Sequence, residues 1–177
     1  MPEDRPACAL LIIDMLKDFI EPDGALFIGS AGREIIAPIK ARLEGARKRC
    51  EPVLYVCDRH RPDDAEFEVW GPHCVEGTRG GEVVDELAPR PGEPVIPKRR
   101  FSGFNGTDLD LTLRELGIRT LTVTGCCTNI CVLYTAADAR MLDYVVEVPR
   151  DCVATFDPDS NRFALNELEK TLGARLL

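Results

Sequence analysis

The chain is expected to fold as a single doubly wound, three-layer α/β/α domain around a mostly parallel sheet, and three observations say so. Short, near-continuous apolar runs of strand length recur along it, they alternate with longer stretches of helical pattern, and several end abruptly in a charged residue or a glycine. A strand covered by helices on both faces has no polar side, so unbroken apolar runs fit a parallel sheet better than a half-wet antiparallel one. Alternation with helices is how such a sheet is connected.

The elements follow in order. Ala7 to Asp14 (ACALLIID) is the first buried strand, ending in an acid, and a helical pattern covers Ala31 to Arg49. Pro52 to Asp58 (PVLYVCD) is the second strand, followed by a helical stretch over Gly81 to Leu87 and a third strand over Pro94 to Lys98 (PVIPK). A helix over Asp108 to Leu116, a strand over Thr120 to Gly125 (TLTVTG) and a helix over Thr128 to Leu142 come next. Tyr144 to Pro149 (YVVEVP) is the fifth strand, and Ser160 to Leu172 the last helix, which Gly173 should end. Ala174 to Leu177 reads as the start of a final short strand, cut short where the chain stops. No repeat, low-complexity tract or linker divides residues 1–177, so one core in one domain is expected.

Composition narrows the partners. With 45% hydrophobic and 29% charged residues the chain has the balance of a soluble globule. A net charge of -8 argues against nucleic acid, because phosphate neutralisation needs clustered Lys and Arg, and the one basic run is Lys98-Arg99-Arg100. No stretch approaches the roughly 18 apolar residues of a membrane span, and Met1 to Pro6 lacks the apolar centre of a signal peptide. A cytoplasmic chain with no membrane or nucleic-acid partner is therefore expected. The eight cysteines fall at irregular spacings without a CxxC pair, which favours reduced thiols over a disulfide framework or a zinc ribbon.

In open α/β sheets, ligands bind outside the carboxyl ends of the strands. Asp14, Asp58, Lys98 and the loop after Gly125 all fall there, so four strand ends converge on one candidate crevice. The loop Gly125-Cys126-Cys127-Thr128-Asn129-Ile130-Cys131 leaves a strand and enters a helix, which is expected to set Cys131 in the first helical turn. Free backbone N–H groups and the positive dipole end there favour a thiolate. A nearby lysine would favour it further, and an acid would hold the proton and return it to a leaving amine. Taken singly, Cys131 also reads as a buried thiol, Asp14 as a turn-capping acid and Lys98 as a surface lysine.

Together these residues resemble the catalytic set of the isochorismatase-like cysteine hydrolases, which include nicotinamidases and N-carbamoylsarcosine amidases and have a Rossmann-like fold. The likeness spans about Ala9 to Ala154. It rests on Asp14-Met15-Leu16-Lys17-Asp18-Phe19, on Lys98 with Phe101-Ser102-Gly103-Phe104 and Gly106-Thr107-Asp108-Leu109 behind it, and on TGCCTNICVLYTAADA with its cysteine. The resemblance implies that Asp14 is general base and acid, that Lys98 supports the charged pair, and that Cys131 attacks the carbonyl of a small amide to form a thioester as ammonia leaves. It also implies a non-proline cis peptide at Cys126-Cys127 and an oxyanion hole from the N–H groups of Cys127 and Cys131. Members of the family commonly form dimers and larger rings, so a homo-oligomer is expected.

A second constellation, Asp58-x-His60 followed by His73, uses both histidines of the chain. Imidazole with carboxylate suits one divalent ion, Zn, Fe or Mn, and no organic cofactor is implied. These three residues resemble the metal site of nicotinamidases, where the ion grips the pyridine nitrogen of the substrate. Some members add an acid seven residues before the second histidine; Glu66 stands there, with Glu68 as a neighbouring competitor. Phe19 and Trp70 resemble the aromatics that flank the substrate ring. One departure is Leu16, where the family commonly has Gln.

Nicotinamide hydrolysis is thus the leading expectation. A metal-independent amidase acting on a carbamoyl or ureido compound is the near alternative. Vinyl-ether hydrolysis of the isochorismatase type is disfavoured by Cys131. From other classes, a catalytically idle binding protein and a thiol redox sensor built on Cys126, Cys127 and Cys131 stay open.

Overall fold

A computed structural model describes residues 8–177, so Met1 to Pro6 and Ala7, the expected head of the first strand, lie outside the described residues. The chain begins with β1 (Cys8–Ile13), α1 (Lys17–Ile20), α2 (Ser30–Glu34) and α3 (Ile36–Lys48). It continues with β2 (Val53–Asp58), α4 (Phe67–Trp70), β3 (Val95–Lys98), α5 (Leu109–Glu115) and β4 (Thr120–Cys126). It ends with α6 (Leu133–Met141), β5 (Val145–Val148), β6 (Val153–Ala154), α7 (Pro158–Asn166) and β7 (Arg175–Leu176).

The sheet has seven strands in the order β3-β2-β1-β4-β5-β7, with β6 paired to the end of β4. All pairings are parallel. Successive residues of a strand face opposite sides. Leu10 and Ile12 of β1 accordingly pack with Tyr55 of β2 against Ile36, Ile39 and Leu43 of α3. Ala9, Leu11 and Ile13 pack with Leu54 and Val56 against Leu109 and Leu113 of α5 and Ala136 and Ala139 of α6. The result is three layers with two cores. Among the described residues no helix is long and apolar enough to cross a membrane.

Several expected elements are redrawn. The helix over Ala31 to Arg49 is two, parted at Ile35. Pro38 explains the break: its ring would collide with the carbonyl four residues back, at Glu34, in an uninterrupted helix, whereas the first turn of α3 tolerates it. Gly81 to Leu87 is not a helix but two short 3-10 turns around an extended Val83-Val84. These valines pair with the segment after β1, through Lys17 N–H to the Glu82 carbonyl (2.9 Å) and Val84 N–H to the Met15 carbonyl (3.0 Å). That ladder also buries Leu16 in the core, away from any pocket wall. The last helix starts earlier, at Pro158, where the Asp157 side chain accepts the N–H of Ser160. It becomes π-helical over Glu167–Thr171.

The strand order reverses between β1 and β4, the place where open α/β sheets bind ligands. Gly125 makes that junction possible. It lies beside Ile13 in the β1–β4 register at φ 114°, and a Cβ there would sit 1.9 Å from the Ile13 carbonyl oxygen. Gly125→Ala must push β1 and β4 apart next to Asp14 and the cysteine loop. A loss of about 3 kcal/mol is expected from overpacking and the forbidden φ together. Urea unfolding checks it, and a midpoint equal to the parent's would contradict this account.

Candidate active site

Asp14 follows β1, Asp58 and Lys98 end the adjacent strands β2 and β3 in register, and Cys131 lies just beyond β4. The structure brings all four together. Lys98 Nζ is 2.8 Å from Asp14 Oδ2, 2.6 Å from Asp58 Oδ1 and 3.4 Å from Cys131 Sγ. The lysine is 1% exposed, so the surface reading of that residue is overturned. Burial by itself would pull the ammonium down, but Asp14, Cys131 and Asp58 overcome it and hold Lys98 well above the ordinary lysine value.

Two carboxylates share this one cation. Burial, and after it the neighbouring Asp58 charge, pushes Asp14 up to about 6 against the pull of Lys98. Asp58 resists the same burial because Lys98 and His60 both favour its ionised form, and it stays below the usual carboxylate range. Asp14 is held in place by the Asp58 N–H, which donates to its Oδ1 at 2.8 Å, and sits at φ 50°, a region aspartate tolerates better than most residues.

The cysteine loop corrects an expectation. Thr128–Val132 is a π-helical turn rather than the first turn of an α-helix, with Val132 N–H reaching back five residues to the Cys127 carbonyl at 3.2 Å. The widened turn lets one more residue follow the strand before α6 begins. Cys131 is buried, and that burial pushes its thiol well above the ordinary cysteine value despite the nearby ammonium. A proton acceptor is needed beside it, and Asp14 is within 4.8 Å. The Cys126-Cys127 peptide is cis, at the position the sequence pointed to.

Asp58, His60 and His73 also meet, all buried, with a donor atom from each within 4.8 Å of the others. Asp58 Oδ2 is 3.6 Å from His60 Nε2 and 3.9 Å from His73 Nε2. Both gaps are shorter than two metal–ligand bonds of about 2.0–2.2 Å laid end to end, so the donor set fits one divalent ion. The outer nitrogens settle which atoms face it. His73 Nδ1 lies 2.8 Å from the Gly71 carbonyl and His60 Nδ1 3.0 Å from an Asp64 carboxylate oxygen; both partners only accept, so Nδ1 carries the proton on each ring. Each Nε2 is left facing Asp58. Glu66 lies at the edge of this set, its Oε1 4.0 Å from His60 Nε2, while Glu68 is exposed and stands apart.

A narrow cavity joins the two sets, bordered by Cys131 and Cys127 as well as Asp58, His73 and Glu66. Phe19 and Trp70 both line it, as expected. So do Phe101, read from the sequence only as part of the motif after Lys98, and Phe156, which sequence reasoning did not single out; the Trp70 and Phe156 rings stack at 8° with centroids 6.3 Å apart. A wider recess of about 780 Å³ beside α3 holds none of these groups. The walls of the cavity combine aromatic rings with the Cys131 sulfur and the Asp58, Glu66 and His73 donors. Behind it, the loop motif after Lys98 docks on α6 through Gly103 N–H to Thr135 Oγ1, 2.9 Å, which ties β3 to the helix that follows Cys131.

Known proteins are similar to this chain. A family described as the isochorismatase domain matches residues 8–176. The crystal structure of a nicotinamidase/pyrazinamidase PncA from Bacillus subtilis is 33% identical, with a TM-score of 0.92 over 97% of this chain and 99% of that one. An N-carbamoylsarcosine amidase from Thermoplasma acidophilum is 37% identical, with a TM-score of 0.88 over 97% and 95%. A pyrazinamidase of Pyrococcus horikoshii, in complex with zinc, is 31% identical, with a TM-score of 0.90 over 97% and 99%.

Proposed function

The chain belongs to the isochorismatase family, and from that premise we propose that it is a cysteine amidase that hydrolyses nicotinamide to nicotinate and ammonia. The observation that carries the reading is an aromatic-walled cavity bordered both by Cys131 and by the cation-ligand candidates Asp58 and His73. An amidase without a ring to grip has no use for the second set.

In this reading Asp14 takes the proton of the Cys131 thiol as the sulfur attacks the amide carbon, and Lys98 balances the charge as it moves between sulfur and carboxylate. The N–H groups of Cys127 and Cys131 receive the oxyanion. Asp14 then returns the proton to the amine, the C–N bond breaks, and ammonia leaves a thioester on Cys131. Water, deprotonated by Asp14, splits the thioester; the carboxylate product departs and the thiol regains its proton.

Asp58, His60 and His73, with Glu66, hold a divalent ion in this reading. What the ion supplies is a Lewis-acid point that a ring nitrogen coordinates, which fixes the ring and so the amide carbon. Asp58 serves both halves of the site, one oxygen on Lys98 and the other toward the imidazoles. Phe19, Trp70 and Phe156 enclose the ring.

Ammonia release from nicotinamide tests the assignment. Removal of metal by a chelator is expected to lower turnover by roughly 100-fold or more, with recovery on adding Zn, Mn or Fe, and His60→Ala is expected to lose activity without such recovery. Undiminished turnover in metal-free protein would refute the role of the ion. Turnover of a ureido compound in place of nicotinamide, unaffected by chelation, would move the chain to the metal-independent amidases.

A further inference from the structure

We propose that Asp64, braced by Arg100, is the positioning residue of the cation site: it fixes the His60 tautomer and holds Glu66 at the rim. The proposal rests on the reading of Asp58, His60 and His73 as metal ligands and extends it to a residue that touches neither ion nor substrate.

Asp64 is a buried carboxylate with three N–H partners. His60 Nδ1 lies 3.0 Å from its Oδ2, while the backbone N–H of Glu66 and Arg100 Nη1 each donate to its Oδ1 at 3.0 Å. It therefore grips one ligand by its ring and another by its backbone. The consequence lies on the far side of the imidazole. His60 Nε2 is fully buried and has no hydrogen-bond partner, although Asp58 Oδ2 is 3.6 Å away and Glu66 Oε1 4.0 Å away.

Left to itself, a neutral ring so placed would carry its proton on Nε2 and donate it to the Asp58 or Glu66 carboxylate. That tautomer blocks ligation, because the nitrogen facing the site then has no free lone pair. Asp64 opposes it by offering a carboxylate to Nδ1. Arg100 lets Asp64 do this beside two other acids: its half-exposed guanidinium meets Asp64 and comes within 3.7 Å of Glu66 Oε2. Since Arg100 follows Lys98 by two residues, the end of β3 serves both sets, Lys98 on the cysteine side and Arg100 on the cation side.

Zinc binding to metal-free protein, measured by competition with a chelator, tests the proposal beside the nitrogen-15 signature of His60 at alkaline pH, where the rings are neutral. Asp64→Ala is expected to weaken zinc binding by roughly 10- to 100-fold and to move the His60 proton from Nδ1 toward Nε2. Asp64→Asn, whose amide oxygen still accepts from Nδ1, is expected to keep the tautomer and bind zinc with intermediate strength. Should the alanine variant fail to fold, the asparagine variant decides alone, and parental zinc affinity in it overturns the proposal. Parental affinity or an unmoved tautomer in a folded Asp64→Ala protein overturns it as well. If the parent protein takes up no zinc, the metal centre itself is refuted and this role falls with it; normal uptake by parent and variants alike refutes only Asp64.

Discussion

Cys131→Ala is expected to reduce amide turnover by at least about 10⁴-fold, because the step it removes is the bond-forming one and no neighbour can replace it. The other nearby thiols are placed differently. Cys126 Sγ donates to the Asp14 carbonyl at 3.1 Å and packs in the core on the α3 side, while Cys127 borders the cavity but is not the sulfur that Lys98 contacts. Cys127→Ala should accordingly keep most of the activity. Loss of one buried sulfur leaves a small void, worth about 1 kcal/mol, so both variants should fold. Rapid quenching of the parent enzyme during turnover, followed by mass spectrometry, should find the acyl group on the peptide containing Cys131. An active Cys131→Ala protein would eliminate covalent catalysis, whereas inactivity of the parent on a panel of amides would favour the redox or idle-binding readings.

Much of this site was legible because buried parallel strands write themselves as apolar runs with conspicuous ends. Asp14, Asp58, Lys98 and Gly125 are each the residue at which such a run stops, and the parallel sheet brings those stops to one edge. The Pro38 break was legible in principle from the ring's clash with Glu34. Other parts depend on contacts that no local pattern encodes. Lys98 heads a basic run that looks solvent-facing, and only the alternation along β3, with Val95 and Pro97 out and Ile96 and Lys98 in, turns it inward. Asp64 sits in a turn-like Arg-Pro-Asp-Asp stretch whose fourth residue reaches His60 only after the loop folds back. Phe156 follows β6, a two-residue strand defined by its pairing with the end of β4 and too short to leave a period. The widening at Thr128–Val132 likewise leaves no mark in the local sequence pattern.

Lys98→Met tests the electrostatic centre of the site on stability and chemistry together. The substitution keeps most of the side-chain volume but leaves the Asp14 and Asp58 carboxylates buried without their shared cation. Breaking a buried ion pair from one side costs about 3–5 kcal/mol, a loss that urea unfolding of metal-free protein will read. Its pH dependence has a definite sign. Lys98 favours the ionised forms of both acids, so without it the raised folded pKa of Asp14 rises further and that of Asp58 climbs from its lowered position; the stability lost to the substitution is greatest where both are ionised and shrinks as pH falls and protons are taken up. Activity moves the same way. The parent should lose kcat/KM as pH falls through about 6, where Asp14 can no longer accept the thiol proton. In Lys98→Met that acid limb should lie at higher pH, with turnover at its plateau reduced by about 10³-fold because the charge passed from sulfur to carboxylate is no longer balanced. A variant with the parental acid limb would separate Lys98 from the ionisation of Asp14, and one with parental stability would mean that a bound cation, or protonation of one acid, already neutralises the pair.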